Sequence, residues 1–180
     1  VHISTDYVFD GTGHKPYVET DTPNPQSVYG QTKLDGELAI QAVNPANSII
    51  IRTSWVYSNF GSNFVKTMLR IGQEHKEISV VSDQIGSPTY ACDLAKTILE
   101  ILPQIKNEQV AIYHFANSGA CTWFEFAKAI FEIKGMEVKV HPITTSQYPT
   151  LAKRPQYSVM KTGYPASLYN LNVPQWKEAL

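Results

Sequence analysis

Leu34, Leu38, Ala39, Ala42 and Val43 follow Tyr29 at helical spacing, with Asn24-Pro25 and Ser27 ahead of them as helix-start signals. This stretch predicts a helix opening at Tyr29. Further along, three consecutive isoleucines within 48–53 suit a buried parallel strand. Residues 63–73 read as a helix through Phe64, Met68 and Leu69, 78–82 as a short strand, and 91–102 as a helix with Leu94, Ile98 and Leu102 in register. A strand at 110–116 precedes the capping box Thr122-Trp123-Phe124-Glu125, which opens a helix through Ala127, Ile130 and Phe131. Residues 137–143 alternate like a strand, and 174–180 read as a final helix with proline in its first turn. Strands alternating with helices predict an α/β fold built on a parallel sheet with right-handed crossovers.

Composition narrows the class. The chain is 43% hydrophobic and 17% charged over 180 residues, enough apolar material for about one domain core. A formal charge of −1 gives no electrostatic footprint for nucleic acid or an anionic membrane, so neither is expected as a partner. No apolar run approaches the roughly 20 residues of a membrane span. No signal-peptide pattern is present, although a start inside a longer chain would hide one, and a cytoplasmic location is expected. Cys92 and Cys121 lack paired spacing and are expected as reduced thiols. The five histidines show no metal-ligand spacing, and no metal site is expected.

Two short segments carry the chemistry. His2-Ile3-Ser4 reads as the end of a strand, which places the Thr5 hydroxyl at a strand's carboxyl end. Tyr29-Gly30-Gln31-Thr32-Lys33 sets a phenol and an ammonium one helical turn apart. A tyrosine hydroxyl normally titrates at about 10, too high for easy exchange at neutral pH. A cation about 4 Å away is worth roughly 4 kcal/mol at an effective dielectric of about 20, which brings such a phenol into general acid–base range. The spacing alone is weak evidence, because this composition predicts about 0.7 chance occurrences of Tyr-x-x-x-Lys. A second copy, Tyr157 to Lys161, lies between Pro155 and Pro165 near Gly163, where a long helix is not expected, and reads as the chance one.

Order adds specificity. Ser4-Thr5-Asp6-Tyr7-Val8-Phe9-Asp10-Gly11 and Tyr29-Gly30-Gln31-Thr32-Lys33 are followed by Arg52-Thr53-Ser54-Trp55-Val56-Tyr57, Asn63-Phe64-Val65, Asp83-Gln84-Ile85-Gly86-Ser87-Pro88-Thr89-Tyr90 and Asp93-Leu94-Ala95. Lys153-Arg154-Pro155, with Ser158 after it, completes the series. Over almost its whole length the chain resembles the extended short-chain dehydrogenase/reductase superfamily, and within it the dTDP-4-dehydrorhamnose reductase family. The resemblance implies reduction at C4 of a dTDP-4-keto-6-deoxy-L-hexose with hydride from NADPH or NADH. Thr5 would orient the carbonyl and Tyr29 would give the proton. Lys33 would tune Tyr29 and hold the nicotinamide ribose, so Tyr29 and Lys33 also face the cofactor. Asp6, Tyr7 and Trp55 would contact the sugar, while Gln84, Pro88, Thr89 and Arg154 would lie along the nucleotide-sugar cleft. Arg154 suits the diphosphate, because its planar fork matches phosphate oxygens. Loop packing is the alternative for Trp55 and Pro88.

A dinucleotide fold needs a Gly-x-Gly-x-x-Gly turn, and the ten glycines include none. Gly11-Thr12-Gly13 is the nearest match and reads as a surface turn. The chain opens with valine inside a strand-like run, as expected of the C-terminal part of a longer reductase, a Rossmann-like sheet lacking its N-terminal strands plus a smaller substrate-binding region. Residues 1–116 are then a partial dinucleotide-binding domain interleaved with substrate-binding segments, and 117–180 are mainly substrate-binding. These residues alone are expected to be inactive and to bind NADP(H) negligibly. Two other readings stay open. One is a nucleotide-sugar epimerase or dehydratase, of which dehydration is disfavoured because Tyr7 stands where a dehydratase carries glutamate. The other is a non-catalytic subunit similar to the beta subunit of methionine adenosyltransferase. A homo-oligomer also stays open.

Overall fold

The computed structural model describes residues 1–150, 152 and 154–180. Strand β1 (His2–Thr5) runs directly into a 3-10 turn, Asp6–Val8, with Thr5 as its N-cap. Helix α1 (Val28–Val43) starts where the Ser27 hydroxyl accepts from Gly30 N and ends at Asn44 in the left-handed region. Then come β2 (Ile49–Thr53), β3 (Val56–Tyr57), α2 (Phe64–Glu74), β4 (Glu77–Val81), β5 (Ile85–Gly86), β6 (Thr89–Tyr90) and α3 (Ala91–Ile101). The chain continues through β7 (Ala111–His114), β8 (Cys121–Thr122), α4 (Trp123–Lys134), β9 (Lys139–Ile143) and α5 (Gly163–Tyr169).

The central sheet is parallel, in the order β1-β2-β7. Its register aligns Ser4 with Arg52 and Arg52 with His114, a polar row across one face, while Ile3, Ile51 and Tyr113 align on the other. The apolar face packs against α3 and the segment around α5 through Leu94, Ile101 and Tyr169. The polar face meets α1, where Glu37 receives Arg52. Helices on both faces of a parallel sheet make the Rossmann-like arrangement that the alternation of elements predicts.

A second core forms where α2 and α4 pack beside the parallel pair β4–β9. It is aromatic: Trp55 stacks on Trp123 at 3.5 Å, Phe64 on Phe126 at 5.6 Å, and Trp176 meets Phe126 edge-on. This cluster joins residues from both sides of position 116. The capping box opening α4 is present, with Glu125 N donating to Thr122 Oγ1 and Thr122 N to Glu125 Oε2.

Three expectations differ from the structure. Residues 174–180 form turns, because Trp176 is buried in the aromatic cluster and its amide donates to the Ser118 carbonyl. Helix α5 goes unpredicted because Gly163 and Pro165 read as breakers, yet Pro165 sits in the first turn, where no intrahelical donor is needed. In α1, Leu38 and Val43 are exposed, and the buried positions are Gly30 and Glu37. The second Tyr-x-x-x-Lys copy lies in extended chain, where Tyr157 bridges to Ile85 and Met160 to Tyr17.

Candidate active site

Thr5, Asp6 and Tyr7 lie where β1 ends, and Tyr29 and Lys33 on the first two turns of α1. Gly30 sets how closely they approach. A Cβ there would lie 2.2 Å from the Tyr7 carbonyl oxygen, so only glycine lets α1 begin against this turn. The Tyr7 ring meets Tyr29 edge-on at 5.4 Å, leaving the Tyr29 ring half open to solvent. Lys33 Nζ donates to the Ile3 carbonyl at 2.5 Å, tying the helix to β1 one turn below Tyr29.

One turn further along α1, Glu37 is fully buried and grips Arg52 with two oxygens, the shortest contact being 2.7 Å. Ser4 also donates to Glu37. The Arg52 guanidinium lies over the Phe9 ring, and His114 meets that ring edge-on. Burial, with Arg52 adding to it, pushes His114 down to about 4, and neither ring nitrogen has a partner among the described residues. Tyr29, Lys33 and Glu37 thus follow one another at four-residue steps, a reactive phenol, a tether and a buried anchor.

Thr5 Oγ1 donates to Asp6 Oδ1 at 3.0 Å and accepts from Tyr7 N at 3.3 Å. Asp6 is buried and lines neither cleft described below, so its carboxyl meets Thr5 and not an open cavity. Desolvation pushes it up to about 6, against smaller opposing effects of Ser158 and Thr5. Although Ser158 faces the carboxyl, Oδ2 makes no well-formed hydrogen bond among the described residues. Burial also raises Tyr7, opposed by the charge of Arg154.

Two clefts open beside this cluster. The larger, about 510 Å³, lies between Tyr7, Gly11, Ser27 and Arg154. Gly11, read from the sequence as part of a surface turn, is instead buried under Pro155, where a Cβ would lie 2.5 Å from the proline Cβ. The second cleft, about 370 Å³, is walled by Phe64, Met68, Val80, Trp123, Gln84 and Arg154. Tyr148, Thr150 and Arg154 border both. Gln84 is held by its amide, which donates to Thr145 Oγ1. Thr5, Tyr29, Lys33, Trp55, Pro88 and Thr89 line neither cleft; Tyr7 links the cluster to the larger one. Trp55, at φ +49°, lies between Trp123 and Gly86, where a Cβ would lie 2.5 Å from its ring. Pro88 and Thr89 are fully buried, Thr89 accepting from the Thr53 hydroxyl. Lys153 lies outside the described residues.

The model of the RmlD substrate binding domain matches residues 1–180. The chain belongs to the RmlD substrate binding domain family. Among its relatives, a dTDP-4-dehydrorhamnose reductase of Sinorhizobium fredii is 43% identical over 99% of this chain and 63% of its own length. The spore coat polysaccharide biosynthesis protein SpsK of Bacillus subtilis is 46% identical over 100% of this chain and 62% of its own. A crystal structure of the Bacillus anthracis dTDP-4-dehydrorhamnose reductase in complex with NADP superposes with a TM-score of 0.91 at 43% identity, covering 99% of this chain and 62% of that one. This RmlD-family chain therefore spans a little under two thirds of the length of these relatives.

Within the RmlD-family chain, sequence reasoning missed Gly30's packing role and the Glu37–Arg52 anchor. Signals for both were present. Glu37 extends the Tyr29–Lys33 spacing by one more turn, and Arg52 is the one charge in a run of isoleucines. Both cysteines are free thiols, Cys92 exposed and Cys121 buried. Among the described residues no helix is long and apolar enough to cross a membrane.

Proposed function

We propose that these residues form the catalytic and sugar-nucleotide-facing part of an NAD(P)H-dependent reductase that converts dTDP-4-dehydro-L-rhamnose to dTDP-L-rhamnose. The observation that carries the reading is the Tyr29–Lys33 turn, brought against the end of β1 by Gly30 and held there by Lys33. It is supported by relatives named as reductases of this substrate.

In this reading Tyr29 gives its proton to the C4 oxygen and Thr5 positions that oxygen. Tyr7 and Arg154, which share the larger cleft, take the sugar and the diphosphate, and Gln84 borders the second cleft. Asp6 holds the Thr5 hydroxyl and Trp55 backs the wall at Trp123, while Pro88 and Thr89 are buried in the packing. The donor set fits a dihydronicotinamide nucleotide. Lys33 has three donors and spends one on Ile3, leaving two for a ribose. When bound, that nucleotide supplies the hydride. Residues 1–116 carry this chemistry interleaved with substrate contacts, and 117–180 complete the substrate side.

The test is turnover of the keto sugar by the reductase that carries these residues. Stoichiometric NADPH oxidation is expected. An epimerase would show no net oxidation, and a regulatory subunit no turnover. The 180 residues alone are expected to bind NADPH negligibly in calorimetric titration, since one lysine contact cannot offset the entropy lost on binding.

A further inference from the structure

We propose that Gly11 is a positioning residue for substrate binding: by seating Pro155 it fixes where Arg154 presents its fork to a diphosphate. The role rests on the reading in which Arg154 takes that diphosphate.

Several contacts converge on the seat. Gly11 is buried, lies at φ +75°, and would place a Cβ 2.5 Å from Pro155 Cβ and 2.6 Å from Pro155 Cα. Its carbonyl accepts from Tyr157 N at 3.1 Å. On the other side of the same segment, Ile85 N donates to the Gln156 carbonyl and Ser158 N to the Ile85 carbonyl, each at 2.8 Å. Residues 155–158 are thus held between two backbones, and they cannot retreat from Gly11 without breaking a hydrogen bond. The turn that carries Gly11 is fixed as well. Asp10 Oδ1 accepts from Thr12 N at 3.0 Å and from the Tyr17 hydroxyl at 2.8 Å, and the Tyr17 ring stacks on Phe9 at 4.3 Å. Tyr17 N donates to the Val159 carbonyl, and Lys161 N to the Tyr17 carbonyl.

Proline transmits the placement. Its ring holds φ at about −65° and confines the preceding residue to extended backbone. The seat of Pro155 therefore sets both the position of Arg154 and the direction in which its side chain leaves. Tyr7, Gly11, Arg154 and Pro155 line the same cleft. The charge of Arg154 also reaches the Tyr7 phenol. Ordinary carbon contacts are about 3.5–4 Å, so a methyl group on Gly11 must push Pro155 back by about 1 Å. A bidentate fork needs both N–H···O distances within about 2.7–3.2 Å, and a shift of that size takes at least one out of range.

The test uses Gly11→Ala, Gly11→Asn and Pro155→Ala in the reductase, each alone and combined with Arg154→Ala. Keto-sugar turnover gives KM and kcat, and calorimetric titration with thymidine diphosphate reads binding without chemistry. Gly11→Ala should raise KM and the diphosphate dissociation constant at least about tenfold, with kcat within about threefold of wild type. Gly11→Asn should do the same, because asparagine accepts a left-handed backbone but still carries a Cβ. A glycine needed only for its turn would let the asparagine variant bind normally, which would overturn the proposal. With Arg154→Ala already present, each change should add less than about twofold to either constant, although the unfolding midpoint falls as far as before. If the Gly11 variants do not fold, Pro155→Ala carries the same expectations, since it keeps the Cβ seated on Gly11 and frees the Arg154 backbone. Unchanged binding in the folded variants would show that the arginine stem absorbs the shift, and would overturn the proposal. Losses that multiply with that of Arg154→Ala would overturn it too. Normal diphosphate binding by Arg154→Ala alone removes the diphosphate role and this proposal with it. Absence of wild-type keto-sugar turnover with the expected binding pattern defeats the reductase reading alone. Normal turnover with multiplying losses defeats this one alone.

Discussion

Two buried regions of this chain are held by different forces. Behind the Tyr29 helix the polar row Ser4–Arg52–His114 and Glu37 are all buried, and α1 itself buries only Gly30 and Glu37. Around α4, the buried residues are Phe126, Ala127, Ala129, Ile130 and Phe131, packed beside stacked tryptophans. Ion pairs and hydrogen bonds have narrow angular tolerance, whereas apolar packing accepts small shifts. The reactive phenol therefore stands on the directional core, and the aromatic core supplies the wall of a cleft.

The largest expected effects come from breaking each core in turn. Glu37→Gln leaves the Arg52 guanidinium buried without its counter-charge and should cost about 3–5 kcal/mol in denaturant unfolding. Phe126→Ala should cost a similar amount, about 3–5 kcal/mol, through a cavity. Only the first should also lower kcat in folded protein. Replacing Glu37 and Arg52 together by Met and Leu should restore stability without restoring kcat, since a buried ion pair exchanged for apolar residues is often neutral. If the double variant regains full activity, the pair is not an anchor for Tyr29.

Next in size is the pH dependence of the directional core. Asp6 is raised to about 6, so between about 4 and 6 the folded state keeps a proton that the unfolded chain has lost, and stability falls as pH rises. His114 is lowered to about 4, so between about 4 and 6.5 the unfolded chain holds the extra proton, and stability falls as pH drops. Each is worth up to about 3 kcal/mol, and the slopes cancel. Stability should be nearly flat from pH 4.5 to 6 in wild type, as checked by urea unfolding. Asp6→Asn should uncover a rise of about 1.4 kcal/mol per pH unit over that window. A slope already present in wild type would show that one of the two groups titrates normally.

Smaller still is Arg154→Lys at the wall shared by the clefts. A point charge replaces a bidentate fork, so KM for the sugar nucleotide should rise about tenfold with kcat little changed. A fixed KM would make Arg154 a structural residue.

The same contrast explains what could be read from the sequence. Of the elements from β2 to β9, the longer ones (β2, α2, β4, α3, β7, α4 and β9) follow apolar periodicity, with α2 and α3 ending within one or two residues of expectation, whereas the two-residue strands β3, β5, β6 and β8 gave no signal. The helix at Tyr29 was legible in place but not in orientation. Its inward face is polar, so Leu38 and Val43 pointed the wrong way. Glu37 and Arg52 were hidden because charges are read as solvated unless their partner is known. Residues 174–180 and α5 failed where a tertiary contact of Trp176, or a proline tolerated in a first turn, outweighed local signals. In the candidate site, residues close in sequence, Thr5 to Tyr7 and Tyr29 to Lys33, come together at the junction of β1 and α1. Trp55, Pro88 and Thr89 came from resemblance; Trp55 stacks behind the cleft residue Trp123, and Pro88 and Thr89 are fully buried.

The most direct measurement is steady-state turnover of dTDP-4-dehydro-L-rhamnose with NADPH by Tyr29→Phe in the reductase carrying these residues. The phenol is 54% exposed, so the denaturation midpoint should not move, while kcat should fall at least about a hundredfold for want of the proton. Turnover close to wild type in that variant would contradict the role given to Tyr29 and, with it, the reading of this site.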